Sequence, residues 1–146
     1  MSRINGGSGK ASLLEGSLKE YLSSVKGFPG LYATECSPAF LSVVKDPVRW
    51  GITVAAHGFY GPQGRQLRAP LAFPELNSKF QGFSFEDFRI TNFEMESSAL
   101  YGLSELTGHE ALTVCLIIAN RARLEYLGDY QPHMDELIKT VLDTII

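Results

Sequence analysis

The sequence carries little net charge and almost no cysteine. Its 13 Lys and Arg residues against 16 Asp and Glu residues leave a formal charge of −3 over 146 residues. Nothing in this balance favours electrostatic binding of nucleic acid or of an anionic membrane. The two cysteines, Cys36 and Cys115, lie far apart and have no metal-ligand spacing. This usage is typical of a reducing, cytosolic setting and predicts no metal site.

Long apolar runs are also missing. The most apolar stretch, around "LIIA" at residues 116–119, is interrupted by Asn120 and Arg121, whereas a membrane-spanning helix needs about 18 or more apolar residues in succession. The first residues, "MSRINGGSGKAS", lack the apolar centre of a signal peptide. We therefore expect a soluble, cytoplasmic protein with no membrane partner.

The residues that are present predict one globular domain. Hydrophobic residues make up 45% of the chain and charged residues 20%, as in soluble proteins with a hydrophobic core. The glycine-rich stretch "INGGSGK" lacks the spacing of a phosphate-binding P-loop. We interpret residues 1–11 as a flexible segment and residues 12–146 as the domain.

Capping and apolar spacing predict four helices. Ser12 and Glu15 have capping-box spacing ahead of an apolar series, which indicates a helix over 12–25 that Gly27 ends. Ser37-Pro38 begins a second short helix. The third runs over about 95–107 before Gly108, and the last begins at Pro132. In the third helix the apolar residues expected on one face are Met95, Ala99, Leu103 and Leu106. In the last helix they are Met134, Leu137, Ile138, Val141, Leu142 and Ile145.

Three apolar stretches between the helices predict strands. They are "WGITVAA" at 50–56, the region around "FRITNF" at 88–93, and "ALTVCLIIA" at 111–119, the most apolar of the three. Strands that alternate with helices favour an α/β fold, with a mixed or mainly parallel sheet flanked by helices. Three strands are few for a complete sheet of this class.

Polar segments follow each predicted strand, at 57–68, 94–97 and 120–123. Ligands of α/β sheets bind beyond the carboxyl ends of strands. In the first segment Phe59 offers a flat apolar face, while Gln63 and Arg65 offer hydrogen-bonding groups suited to the edge of a planar heterocycle. An ordinary surface turn stays an alternative for this loop.

Glu94 and Glu96 flank Met95 where the second strand becomes a helix. Two interpretations remain open. Acidic residues are favoured in a first helical turn by the helix dipole. Alternatively, a carboxylate here accepts hydrogen bonds from the vicinal hydroxyls of a sugar, with Met95 against the sugar ring.

The motifs themselves resemble a known family. "NFEMESSAL" resembles the ribose-binding signature of the nucleoside phosphorylase superfamily, and "GFYGPQGR" resembles the pyrimidine-binding loop of its uridine phosphorylase branch. "VCLIIANR" is similar to the strand and Asn-Arg pair that follow in the same order. The resemblance runs from about residue 31 to the C-terminus. It implies reversible phosphorolysis of a pyrimidine nucleoside, with phosphate as co-substrate, no cofactor, and a homo-oligomer (dimer or hexamer).

The resemblance also implies roles for particular residues. Phe59 would pack on base and ribose, and Gln63 and Arg65 would bind the uracil edge. The expected ribose-binding residues are Met95, Glu96 and Glu94, and the expected catalytic residues are Arg121 and Glu96. Arg121 would lie behind Arg65 and stabilise the departing base. Purine-specific relatives have an aspartate where this chain has Asn120 or Arg121, which favours a pyrimidine substrate.

One departure from the family pattern concerns phosphate. The family's phosphate-binding segments precede the part that resembles this chain, so we expect the C-terminal half of the fold without its N-terminal half. Three functions stay open: a uridine phosphorylase, a truncated non-catalytic nucleoside-binding fragment, and a nucleoside hydrolase of the same superfamily.

The three histidines do not have the spacing of metal ligands. They are His57, His109 and His133.

Overall fold

The computed structural model describes residues 10–44 and 48–146. The helices are α1 (Lys10–Tyr21), α2 (Pro38–Val43), α3 (Leu76–Gly82), α4 (Ser97–Thr107) and α5 (Gln131–Ile145), with a short 3₁₀ helix at Gly61–Gln63. The strands are β1 (Ile52–Ala55), β2 (Ser84–Phe85), β3 (Phe88–Glu94), β4 (Ala119–Asn120) and β5 (Glu125–Tyr126).

A small mixed sheet lies at the centre of the fold. Its strand order is β1-β3-β2, with β1 parallel to β3 and β2 antiparallel to β3. Ile52 pairs with Ile90, and Ala55 pairs with Glu94. The predicted α/β class with a mixed sheet and flanking helices is confirmed.

The hydrophobic core is divided among separate clusters. One contains Leu14, Ile52 and Phe83, and a second is formed by Leu22, Val25, Leu76 and Phe80. Ile90 of β3 packs against both, so this strand links them. The side chains of α1 and of the turns after it therefore cover the sheet, as an amphipathic helix does.

The first helix differs from its prediction at both ends. It begins at Lys10 and ends at Tyr21, although Leu22 and Val25 are still buried in the turns that follow. Ser12 and Glu15 do not form a capping box: the Glu15 carboxylate accepts hydrogen bonds from the Lys19 ammonium group and, at 3.0 Å, from the backbone N–H of Ala33. Residues 1–9 of the predicted flexible segment lie outside the described residues, and residues 10 and 11 belong to α1.

The other three predicted helices are present, although α4 begins at Ser97 and not at about residue 95, and α3 was not predicted. The Ser37 hydroxyl accepts a hydrogen bond from the Phe40 N–H at 3.2 Å, as an N-cap residue does. Gly108 ends α4 in the left-handed conformation, with φ of 71°. The last helix has Pro132 in its first turn.

The predicted strand over 111–119 is wrong. Only Ala119–Asn120 forms a strand, and it pairs with Glu125–Tyr126. The preceding residues make isolated hydrogen bonds, from Ser37 N–H to the Ala111 carbonyl and from Thr113 N–H to the Tyr101 hydroxyl, both 2.8 Å. A strand needs a neighbour for its ladder, and in the described part of the chain no strand pairs with residues 111–118.

The predicted apolar faces of the last two helices are not buried. In α4 the buried residues are Ser97 and Tyr101, while Leu103 and Leu106 are 61% and 83% exposed. No residue of α5 is buried, and Ile138 is half exposed. Among residues 10–44 and 48–146, no helix is long and apolar enough to cross a membrane.

Candidate functional site

The ends of β1 and β3 bring the first two polar segments together. The strands are parallel, and Ala55 and Glu94, the last residues of each, are paired. The backbone N–H of Ala56 continues the ladder by donating to the Glu94 carbonyl at 2.9 Å. The loop after β1 and the start of α4 therefore leave the sheet at the same edge, where parallel α/β sheets place their ligands.

A tight turn shapes the loop after β1. The backbone N–H groups of Gln63 and Arg65 both donate to the Tyr60 carbonyl, at 3.0 and 2.9 Å. The turn closes through Gly64, whose φ of 75° lies in the left-handed region that glycine adopts without steric cost. The turn returns the Arg65 guanidinium to a position 3.6 Å from the centre of the Phe59 ring. The sequence-predicted base-binding residues Phe59, Gln63 and Arg65 thus form one cluster.

Gln63 is the centre of this cluster. Its side chain is only 3% exposed, and its Oε1 accepts hydrogen bonds from Arg65 Nη1, at 2.9 Å, and from Arg121 Nη2. Arg121 Nη1 also donates to the Gln63 backbone carbonyl. These bonds fix the orientation of the Gln63 amide, and its NH₂ group donates to none of the described residues.

The polar segment at residues 120–123 contributes Arg121 to the site. Besides its bonds to Gln63, the Arg121 guanidinium lies 5.2 Å from the centre of the Phe93 ring in β3, at cation–π distance. Arg121 therefore connects the loop after β1 with the central strand. The predicted position of Arg121 behind Arg65 corresponds to this shared contact on Gln63.

The two arginines give the site a concentrated positive charge. Burial lowers the pKa of the Arg121 guanidinium, the neighbouring charge of Arg65 lowers it further, and Tyr126 acts in the opposite direction. In the described part of the chain neither arginine forms an ion pair with a carboxylate. An anion at this place would relieve the repulsion between the two cations.

The two glutamates have different surroundings. One Glu94 carboxylate oxygen accepts hydrogen bonds from the backbone N–H groups of Glu96 and Ser97, at 2.7 and 2.6 Å. The other accepts the Ser97 hydroxyl at 2.6 Å. Glu94 therefore satisfies the free N–H groups at the start of α4, which is the helix-start interpretation left open by the sequence.

Glu96 and Met95 remain available to a ligand. The Glu96 carboxylate has one local hydrogen bond, from the Met95 N–H at 3.2 Å, and is exposed. Met95 is 43% exposed. Of the three predicted ribose-binding residues, these two are exposed, whereas the Glu94 carboxylate is occupied by the N–H groups at the start of the helix.

Two residues that support the site were not predicted from the sequence. Phe93 lies under the Arg121 guanidinium, and the Asn77 side-chain amide approaches the Gln63 carbonyl at 3.4 Å. Phe93 directly precedes Glu94 at the end of the predicted strand, so its position in the sequence could have indicated that it lies beside the site. Asn77 lies in α3, and no motif around it in the sequence indicates a role in the site.

Among the described residues no group of three or more His, Cys, Asp or Glu side chains could hold a metal ion.

Comparisons with known proteins concern the chain as a whole. No protein-family model matches the chain. It is 34% identical over 122 residues to a uridine phosphorylase of Thermococcus kodakarensis, covering 77% of this chain and 40% of the relative. Two proteins of Schistosoma mansoni, uridine phosphorylase A and inactive uridine phosphorylase B, are 37% and 35% identical over 71 residues, which is 49% of this chain and 24% of each relative.

A solved structure shows the same fold. A Trypanosoma brucei nucleoside phosphorylase, described as having uridine phosphorylase activity, superposes with a TM-score of 0.80 at 22% identity, covering 97% of this chain and 51% of that one. The chain thus spans about half or less of the length of the proteins it matches. It is a uridine phosphorylase-like chain with the fold of the nucleoside phosphorylases.

Proposed function

We propose that this chain carries the base and ribose half-site of a pyrimidine nucleoside phosphorylase, a pentosyltransferase that converts uridine and phosphate into uracil and ribose 1-phosphate. The observation that supports this most directly is the Gln63 amide held by two arginines. A fixed amide presents a donor to a uracil carbonyl, and the two arginines beside it supply positive charge that no carboxylate of the described residues pairs with.

The proposed reaction fits this charge. As the glycosidic C–N bond breaks, its electron pair moves to the uracil ring and the ribose becomes oxocarbenium-like; a phosphate oxygen then forms the new bond to C1′. Cations at the base edge stabilise the departing uracil anion more than neutral uridine, and such differential stabilisation accelerates a reaction. In this proposal Arg121 acts on the leaving base, together with Gln63 and Arg65, while Phe59 packs on the base and ribose.

Ribose binding is assigned to Glu96 and Met95. The exposed Glu96 carboxylate is available for the 2′ and 3′ hydroxyls, and Met95 for an apolar contact with the ring. Glu94 contributes by fixing the backbone that carries them.

We further propose that phosphate is the co-substrate with no cofactor, that the protein is a cytoplasmic homo-oligomer, and that it serves pyrimidine salvage.

A second candidate is a nucleoside-binding protein without turnover. It is supported by the name of one Schistosoma mansoni relative, an inactive uridine phosphorylase. In this case the base and ribose contacts persist but no phosphate is presented.

Uracil release with and without phosphate tests the proposal. The purified chain is incubated with uridine, and uracil is measured by chromatography. Phosphate-dependent uracil release supports the phosphorylase, whereas release independent of phosphate indicates a hydrolase. Uridine binding without any release supports the second candidate. Absence of both binding and release contradicts the half-site itself.

Replacement of Glu96 tests the ribose assignment. Glu96→Ala removes the charged acceptor of the sugar hydroxyls, and two charge-assisted hydrogen bonds of about 1.5–3 kcal/mol each correspond to uridine binding weaker by about 100-fold or more. Affinity for free uracil is expected to stay nearly unchanged. Calorimetric titration with both ligands gives the comparison, and Glu105→Ala, an exposed change on the same helix, is the control. Equal losses for uridine and uracil would contradict the ribose role.

A further inference from the structure

Both arginines of the base site hold the same atom. Arg65 Nη1, at 2.9 Å, and Arg121 Nη2 donate to Oε1 of Gln63. Like charges on one acceptor repel each other, and the charge of Arg65, next to burial, lowers the pKa of the Arg121 guanidinium. Within residues 10–44 and 48–146 neither arginine is paired with a carboxylate, so another group has to offset this repulsion.

An aromatic ring lies against each guanidinium group. Cζ of Arg65 is 3.6 Å from the centre of the Phe59 ring, and Cζ of Arg121 is 5.2 Å from the centre of the Phe93 ring. The face of an aromatic ring carries partial negative charge and attracts a cation that lies within about 6 Å of its centre. The two rings therefore take the place that carboxylates often have beside arginines.

Neighbouring rings fix both phenylalanines. The Tyr60 ring stands edge-to-face with Phe59, with centroids 5.2 Å apart and an interplanar angle of 87°. The buried Phe80 ring lies 5.8 Å from Phe93, which also packs against the core cluster around Leu22. A guanidinium that already lies on a fixed ring loses less freedom when a ligand binds than a mobile one does.

We propose that Phe59 and Phe93 are positioning residues of the base site, whose ring faces hold Arg65 and Arg121 on Gln63 without neutralising their charge. A carboxylate would also hold an arginine, but it would cancel the positive charge. A ring face leaves that charge to the carbonyl edge of the base, and to the negative charge that the base acquires as the glycosidic bond breaks.

The consequence for the base rests on the proposed function, whereas the contacts between the rings and the arginines do not. Phe59 is 51% exposed, so the ring surface that Arg65 does not cover stays open to base and ribose. The role proposed here is therefore additional to packing on the ligand, and it needs a test that separates the two.

A double-mutant cycle in urea unfolding tests the Phe59–Arg65 contact without any ligand. Phe59→Leu keeps an apolar side chain and removes the ring face, while Arg65→Met keeps an extended side chain and removes its charge. Phe59→Leu is expected to lower the folding equilibrium constant about two- to fivefold more in the chain with Arg65 than in the Arg65→Met chain. Phe59→Tyr keeps the ring face and should restore the value of the unmodified chain.

The same cycle with Phe93→Leu and Arg121→Met tests the second ring. Phe93 packs in the core, so Phe93→Leu alone also changes the packing there. That cost is present in both backgrounds and cancels in the cycle, which leaves the coupling between ring and cation. A coupling of the same sign as for Phe59 and Arg65 is expected.

Phe59→Glu and Phe59→Gln separate the holding of Arg65 from its charge. The two side chains have nearly the same size, but the glutamate forms an ion pair with Arg65 and the glutamine stays neutral. The Glu variant should be at least as stable as the Gln variant in urea and should bind uracil about tenfold more weakly in calorimetric titrations, since the ion pair neutralises the cation. Loss of packing on the base alone would weaken both variants equally.

Three results would overturn the proposal. Additive effects in both cycles would show that the rings do not hold the arginines. A Phe59→Tyr variant as unstable as Phe59→Leu would show that the ring face has no role, and equal uracil affinity of the Glu and Gln variants would show the same for the uncompensated charge. An unmodified chain that binds neither uridine nor uracil contradicts the proposed function instead, and the two cycles then decide the role of the rings.

Discussion

Gln63→Glu separates the structural role of this residue from its proposed binding role, because the two respond in opposite directions. In the structure a neutral amide oxygen accepts hydrogen bonds from Arg65 and Arg121, and neither arginine has a carboxylate partner in the described part of the chain. Glutamate is nearly the same size and places a charged acceptor between the two cations. The fold should therefore become more stable.

The magnitude follows from the number of pairs formed. The position is only 3% exposed, so desolvation of the new carboxylate offsets part of its attraction to the two partly buried arginines. With a net gain of about 0.2–1 kcal/mol for each pair, two pairs stabilise the fold by about 0.5–2 kcal/mol. Ligand binding should change the other way, because the NH₂ donor is lost and a negative charge faces the base. A lost donor with an unpaired acceptor costs about 1–3 kcal/mol, or roughly 5- to 150-fold in affinity for uridine.

Urea unfolding and calorimetric titration with uridine measure the two effects on the same samples. Gln66→Glu is the matched control, since it makes the same change on an exposed residue of the same loop. It should alter stability by less than about 0.5 kcal/mol and leave binding intact. The reasoning is refuted if Gln63→Glu is less stable than the unmodified chain, or if it binds uridine equally well. A similar response of both variants would also refute it.

Two further changes test the elements that position the site. Glu94→Ala removes the acceptor of two backbone N–H groups and should lower the free energy of unfolding by about 1–2 kcal/mol in urea titrations; an effect no larger than that of Glu105→Ala contradicts this role. Gly64→Ala places a Cβ at φ of 75° against the Asn77 side chain and should destabilise the turn by about 1–2 kcal/mol or more. Gly61→Ala, where a Cβ meets nothing within 4 Å, is its control in the same thermal unfolding assay, and equal melting temperatures would contradict the expected strain.

The composition of the site was more predictable than its internal arrangement. Phe59, Gln63 and Arg65 lie within one turn, so their proximity follows from the chain itself. The bond between Gln63 and Arg121 joins residues 58 positions apart, and no periodicity or cap predicts such a pair. Likewise, two glutamates at a helix start looked alike in the sequence, and the structure separates Glu94, whose carboxylate binds the helix N–H groups, from the exposed Glu96.

The sequence by itself determined the features that depend on neighbours along the chain. The Ser37 cap, the Gly108 stop and the strand–helix junction at Glu94 involve hydrogen bonds across four residues or fewer, so local chemistry is sufficient. The tertiary structure decided what long-range partners supply. Residues 111–118 form no strand because no described strand pairs with them. No residue of α5 is fully buried, because its contact with α2 covers the apolar face only in part. Pairing and burial are properties of two surfaces, and one sequence segment specifies only one of them.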